Sequence, residues 1–149
     1  MTGLSAVVGH RDVIARLRAS RARGRLAAAY LLHGEDGIGK RTVAEAWTRL
    51  LQCHTPVGDP AGAEACGTCV SCRHHAVGTH PDVFRLVPRE EAATVAIDQI
   101  RELQAALPYQ PLIASPRVVL IPDATLLRPD GANALLKRSR SPRPTPCSS

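Results

Sequence analysis

The sequence predicts an α/β fold, a parallel sheet flanked by helices, with a cysteine-rich module inserted into it. Three observations carry that expectation. Short apolar runs alternate along the chain with stretches of helical periodicity. Each apolar run is unbroken, the pattern of strands buried on both faces. Between residues 53 and 80 the periodicity gives way to cysteine, histidine, glycine and proline.

Taken in order, residues 11–23 (RDVIARLRASRAR) set Val13, Ile14, Leu17 and Ala22 on one helical face and arginines on the other. Gly24 then stops the helix. Residues 27–34 (AAAYLLHG) read as a buried strand running into the glycine-rich turn 34–40. RTVAEAWTRLLQ (41–52) is helical, with Val43, Ala46, Trp47, Leu50 and Leu51 at helical spacing. DVFRLV (82–87) is a second strand. AIDQIRELQAAL (96–107) is an amphipathic helix with Asp98 near its start, where a carboxylate suits the helix dipole. RVVLIPDA (117–124) is a third strand, and NALLK (133–137) begins a last helix. RSRSPRPTPCSS follows, with three prolines and four serines in twelve residues, a composition that neither continues a helix nor packs a core. The expected organisation is a domain over 1–137, its cysteine module at about 53–80, and a disordered basic tail over 138–149.

A chain of 149 residues with 44% hydrophobic content is one domain long, and with 3% aromatics its core must come from Ala, Val, Leu and Ile. Half of the formal charge of +6 belongs to Arg138, Arg140 and Arg143 in the tail. The remaining body is mildly basic, which permits a nucleic-acid partner without requiring one. Arg11, Arg16, Arg18, Arg21 and Arg23 on the first helix read as a solvated face in preference to a DNA-binding surface. The N-terminal stretch has no apolar core of a secretory signal, and the longest apolar run, Leu26 to Leu32, is too short to span a bilayer. The expectation is a soluble, cytoplasmic protein with no membrane partner, whose cysteines are metal ligands and not disulfides.

Cys53, Cys66, Cys69 and Cys72 are spaced C-x12-C-x2-C-x2-C. A C-x2-C turn presents two sulfurs to one ion, and four protein ligands leave no open position for water. These four are the expected ligands of a structural Zn²⁺, with His54, His74 and His75 as possible substitutes. Cys147, in the tail, is expected to be a free thiol.

Gly34-Glu35-Asp36-Gly37-Ile38-Gly39-Lys40-Arg41 matches G-x-x-x-x-G-K-[ST] at every position but the last. In a phosphate loop the backbone N–H groups and the helix N-terminus wrap a phosphate, and the lysine reaches its outer oxygens. Gly34, Gly37, Gly39 and Lys40, with Thr42, are therefore the candidate nucleotide-binding residues. The final hydroxyl should reach Mg²⁺, and Arg41 stands there. Thr42 does not simply replace it, since one residue along a helix turns the side chain by about 100°. The end of the third strand shows a matching defect: an ATPase places Asp there, commonly followed by Glu, and this chain has Pro122 and Asp123. Asp123 is the remnant of that degenerate Walker B position, able to hold a water or to cap the next turn. Mg-dependent ATP hydrolysis is not expected, and whether ATP is held without hydrolysis stays open.

Together, VVGHRDVIARL, LLHGEDGIGKRT, the cysteine module, GTHPDVFRLVP, IDQIRELQAALPYQP and VVLIPDATLLRPDGANALLK resemble bacterial DNA polymerase III clamp-loader subunits of the AAA+ superfamily. The resemblance covers about residues 5–137. It implies an AAA+-type sheet and a role in loading the sliding clamp on primed DNA, in complex with tau/gamma and delta subunits. Within the family, the motor branch (tau/gamma) keeps the GKT loop and the Asp-Glu strand end. The delta-prime branch often departs at both and keeps the stretch seen here as His80-Pro81-Asp82. This sequence is similar to the delta-prime branch, which implies a stator without ATPase activity of its own; an active motor subunit or another AAA+ ATPase is the alternative. A third reading, a zinc knuckle that itself contacts DNA, is disfavoured by the scarcity of aromatics to stack on bases. By the same resemblance Val7, Val8, Gly9 and His10 would border an adenine pocket, and His80 and Asp82 would make fold-forming contacts. Family members continue from NALLK into Thr-Leu-Glu-Glu-Pro-Pro. A GC-rich coding of that string, read one base late, gives Arg-Ser-Arg-Ser-Pro-Arg, the sequence at 138–143. The corresponding expectation is a truncation or frameshift after Lys137.

Overall fold

A computed structural model describes residues 3–27, 29–114 and 116–139. After a 3₁₀ turn at Leu4–Ala6 comes α1 (Arg11–Ala22), with Asp12 in its first turn and Arg21 in its last, each suited to the helix dipole. It buries Ile14 and Leu17. α2 (Lys40–Gln52) starts from Gly39, whose φ of 96° lies in the left-handed region that favours glycine. Its buried side includes Val43, Ala46, Trp47 and Leu50, the predicted face. These side chains join Leu4, Ile14, Leu17 and Ala63 in a first core, with Leu51 at its margin.

β1 (Val83–Arg85) and β2 (Val118–Leu120) pair in parallel, Val83 opposite Val118 and Arg85 opposite Leu120. Two further amide bonds, Val118 to the Asp82 carbonyl at 3.0 Å and Leu86 to the Leu120 carbonyl at 2.9 Å, continue the ladder. A parallel pair needs a crossover, and α4 (Ile97–Ala106) supplies it. The Gln99 side chain accepts from the Ala96 N–H at 3.1 Å and ties off the start of α4. Ile100 and Leu103 of α4 join Leu86 and Val95 in a second core, flanked by Phe84, Val119 and Leu135. Proline opens α5 (Pro129–Ser139), a position that costs no hydrogen bond. Helix α5 packs on α4, with Gly131 so close that an added Cβ would collide with the Ile100 side chain.

Three expectations are corrected. The predicted strand at 27–34 is not a strand: among the described residues the ladder contains only β1 and β2. A strand is held by a neighbour's hydrogen bonds, and the described residues of this segment have none there; Leu31 is 76% exposed. It is anchored instead by side chains, Leu32 against the first core and Tyr30 edge-on to Trp47 at 6.2 Å. Second, the cysteine module is not wholly irregular, for it contains α3 (Val70–Val77). Third, α5 runs to Ser139, past the expected boundary at Lys137. The remainder of the tail, Cys147 included, lies outside the described residues. No helix among the described residues is long and apolar enough to cross a membrane.

Candidate metal centre and glycine loop

The four cysteines come together from three local structures. Cys53 ends α2, Cys66 lies in the turn before α3, and Cys69 caps α3, whose first turn holds Cys72. Their sulfurs all lie within 4.8 Å of one another. The Cys66 and Cys72 sulfurs are 3.9 Å apart, close to the edge of about 3.8 Å expected for a tetrahedron of thiolates bound at about 2.3 Å. Backbone amides point at the sulfurs: Cys66 N–H at Cys53 Sγ (3.2 Å), Cys69 N–H at Cys66 Sγ (3.3 Å) and Cys72 N–H at Cys69 Sγ (3.4 Å). The group could hold a metal ion.

The local charges suit that chemistry. A side-chain hydrogen bond from Thr55, with the amides of Thr68 and Cys69, pulls the Cys66 thiol down to about 5. At Cys69 burial works upward, but the Cys72 amide and other hydrogen bonds leave the thiol lowered. Burial pushes Cys53 and Cys72 up. A cation held here would gain most readily from the two sulfurs whose thiols are lowered, Cys66 and Cys69, and would have to displace protons from the buried pair.

The alternative histidine ligands are engaged elsewhere. His54 Nε2–H donates to the Ile113 carbonyl at 2.9 Å, His74 Nδ1 meets Thr79 Oγ1 at 3.2 Å, and His75 Nε2–H donates to Gln52 Oε1 at 2.8 Å. Gln52, fully buried, passes its own amide hydrogens to the carbonyls of Asp82 (3.2 Å) and Pro116 (2.7 Å). His80 Nδ1 accepts from the Asp82 N–H, so the neutral ring carries its proton on Nε2 and donates it to Ser71 Oγ at 2.9 Å. The Asp82 carboxylate accepts from the amides of Leu112, Ile113 and Ala114 at 2.6–3.0 Å and from Arg117 Nε at 3.3 Å. Burial pushes that carboxyl up, but these hydrogen bonds outweigh it and hold it below its ordinary value. His80 and Asp82 thus join the module to the sheet.

Sequence reasoning missed two residues. Glu64 accepts from the Leu4 N–H (3.0 Å), the Ser5 N–H (2.7 Å) and Ser5 Oγ (2.6 Å), and pairs with Arg18. Arg18 also donates through Nε to the Ala63 carbonyl at 3.2 Å. Its side chain is 12% exposed, which corrects the reading of a wholly solvated arginine face on α1. No local pattern announces a pair 46 residues apart.

In the glycine loop, Gly37 and Gly39 take φ values of 79° and 96°. Lys40 Nζ turns back onto the Gly34 carbonyl at 2.5 Å, with Asp36 at 3.8 Å. His10 Nε2–H donates to the Ile38 carbonyl at 2.5 Å, so the segment before α1 does border the loop, while Val8 is 90% exposed. Arg41 and Thr42 are both exposed on the first turn of α2. Asp123 caps the 3₁₀ turn Ala124–Leu126, accepting from Thr125 N–H at 3.0 Å and Oγ1 at 2.6 Å. Those bonds, aided by the charges of Lys40 and Arg41, hold its carboxyl below its ordinary value.

The family described as DNA polymerase III, delta subunit, matches residues 9–145. The chain is 42% identical over 120 residues to the DNA polymerase III subunit delta' of Pseudomonas aeruginosa, covering 80% of this chain and 35% of that protein. It is 35% identical over 127 residues to the subunit delta' of Escherichia coli, covering 85% and 37% respectively. It is also 34% identical over 137 residues to the subunit gamma/tau of Mycobacterium tuberculosis, covering 91% and 23%. The chain thus spans about a third of the length of the delta' relatives it matches.

Proposed function

The chain belongs to the DNA polymerase III, delta subunit family, and from that premise we propose that it serves as a non-catalytic, stator-like subunit of the clamp loader. Its partners in this reading are the tau/gamma and delta subunits and, through the complex, the sliding clamp and primed DNA in the cytoplasm. The observation that carries the non-catalytic part is the fate of the two magnesium positions. Arg41 stands where a hydroxyl would meet the ion, and the Asp123 carboxylate is engaged by Thr125. Electrostatic stabilisation by Mg²⁺ is what makes phosphoryl transfer fast in such loops, and in this reading the replacement at Arg41 and the engagement of Asp123 deprive the loop of it.

The four cysteines in this reading bind Zn²⁺. Their sulfur-only donor set and mutual distances suit that ion, which would cross-link Cys53, Cys66, Cys69 and Cys72 without taking part in chemistry. The domain in this reading extends to the end of α5 at Ser139, and the basic tail follows it.

The second reading, an ATP-hydrolysing motor subunit, is favoured by Gly34, Gly37, Gly39 and Lys40 and by the similarity to a gamma/tau subunit. Magnesium-dependent phosphate release separates the two. The stator reading expects no turnover above that of Lys40→Ala. Turnover abolished by Lys40→Ala would establish the motor reading in its place.

A further inference from the structure

Glu64 lies two residues before Cys66, yet among the described residues the donors to its carboxylate come from the N-terminal part of the chain, 46–60 residues away. Leu4 N–H, Ser5 N–H and Ser5 Oγ belong to the N-terminal turn, and Arg18 belongs to α1. The loop that carries Glu64 begins and ends on cysteines of the candidate centre. Val57 and Glu64 exchange both backbone hydrogen bonds at 2.9 Å across a turn in which the Asp59 carboxylate accepts from Gly62 N–H. Ala63, beside Glu64, is buried in the first core. Leu4 has no exposed surface, so the turn that Glu64 holds is itself a wall of that core. The same N-terminal segment leads to His10 and its hydrogen bond to the Ile38 carbonyl of the glycine loop.

We infer that a metal ion at the four cysteines fixes the N-terminal turn through Glu64, which is a positioning residue for the segment bordering the glycine loop. The inference rests on the zinc reading above. An ion joining Cys53 to Cys66 closes the intervening loop and removes most of its freedom. Glu64 is then held where its carboxylate meets two amides, a hydroxyl and a guanidinium at once. Without the ion, the loop keeps its short antiparallel bridge, the Cys66 amide contact to Cys53 and the hold of the first core and Arg18 on Ala63, but loses the tie that closes its two ends. The exposed side of the Glu64 carboxylate then draws it toward water, and the Leu4 and Ser5 amides lose their acceptor.

Amide hydrogen exchange on the full chain, zinc-loaded and chelated, tests this, with zinc stoichiometry followed by native mass spectrometry. On chelation, exchange at Leu4 and Ser5 should accelerate by roughly tenfold or more, the loss of hydrogen bonds to a charged acceptor. Ile100 and Leu103 in α4 should keep their protection. Glu64→Ala should reproduce the acceleration at Leu4 and Ser5 while one zinc stays bound, and Glu64→Gln, which retains an acceptor oxygen, should restore part of the protection. If Leu4 and Ser5 are unchanged in Glu64→Ala, or after zinc has demonstrably left, the inference is wrong while the zinc reading stands. If exchange quickens uniformly through α4, the effect is general unfolding and the inference is again wrong. A chain that binds no zinc when loaded overturns the zinc reading and the inference with it.

Discussion

Asp82 has no exposed surface, and its carboxylate faces three amides and Arg117, itself 11% exposed at its side chain. Asp82→Asn would set an amide donor against amide donors and leave Arg117 without its counter-charge. The expected cost is about 3–5 kcal/mol, the range for breaking a buried pair, read from urea unfolding. Because the folded carboxyl is held below its ordinary value, its contribution is complete above about pH 4 and is lost as pH falls through the lowered folded value. The variant should lack that part of the acid sensitivity; an unchanged acid limb would refute the assignment. The four cysteines were legible at this scale because their spacing is itself the chemistry. Asp123 was legible as a turn cap. Glu64 and Arg18 were not, because their meaning depends on which distant segment arrives beside them.

Helix α3 owes its start to the Cys69 sulfur, which accepts from the Cys72 N–H, and its end to Gly78 at φ 72°. A Cβ at Gly78 would meet nothing within 4 Å, so Gly78→Ala should cost only the left-handed backbone penalty, about 1–2 kcal/mol. Thermal unfolding with unchanged zinc stoichiometry would check this. A larger loss accompanied by zinc release would mean that Gly78 shapes the metal centre. At this scale α2, α4, β1 and β2 were readable from periodicity and apolar runs. Helix α3 was hidden because its cap is a cysteine, not one of the usual oxygen-bearing residues, and because its face is too polar to show a stripe. The segment 27–34 misled in the opposite sense. Its composition suits a strand, but a strand also needs a neighbour, which composition does not reveal.

The described part of the molecule has two separate apolar clusters, one on α1 and α2 and the other on β1, β2 and α4. Between them lies a polar bridge, from His75 through Gln52 to the Asp82 and Pro116 carbonyls. Local unfolding proceeds in roughly contiguous cooperative units, and each apolar cluster is a candidate for one. The two halves should therefore separate on denaturation, with chelation weakening the half that contains Trp47. Trp47 is the single tryptophan and lies in the first cluster, so its fluorescence reports that half alone. Its midpoint in urea should fall on zinc removal more than that of far-UV circular dichroism. Coincident curves that shift together would show one cooperative unit. The α/β class was readable from the whole sequence, whereas the division into two cores was not. Both halves use the same aliphatic residues, and only their placement separates them.

The Asp82 carboxylate grips main-chain amides of residues 112–114, not their side chains. Its hold therefore places no demand on what those positions spell. In a library randomised at Leu112, Ile113 and Ala114, the two exposed or half-exposed positions should accept almost any letter, the buried Ala114 only small ones. Proline, which has no N–H to give, should be missing from all three.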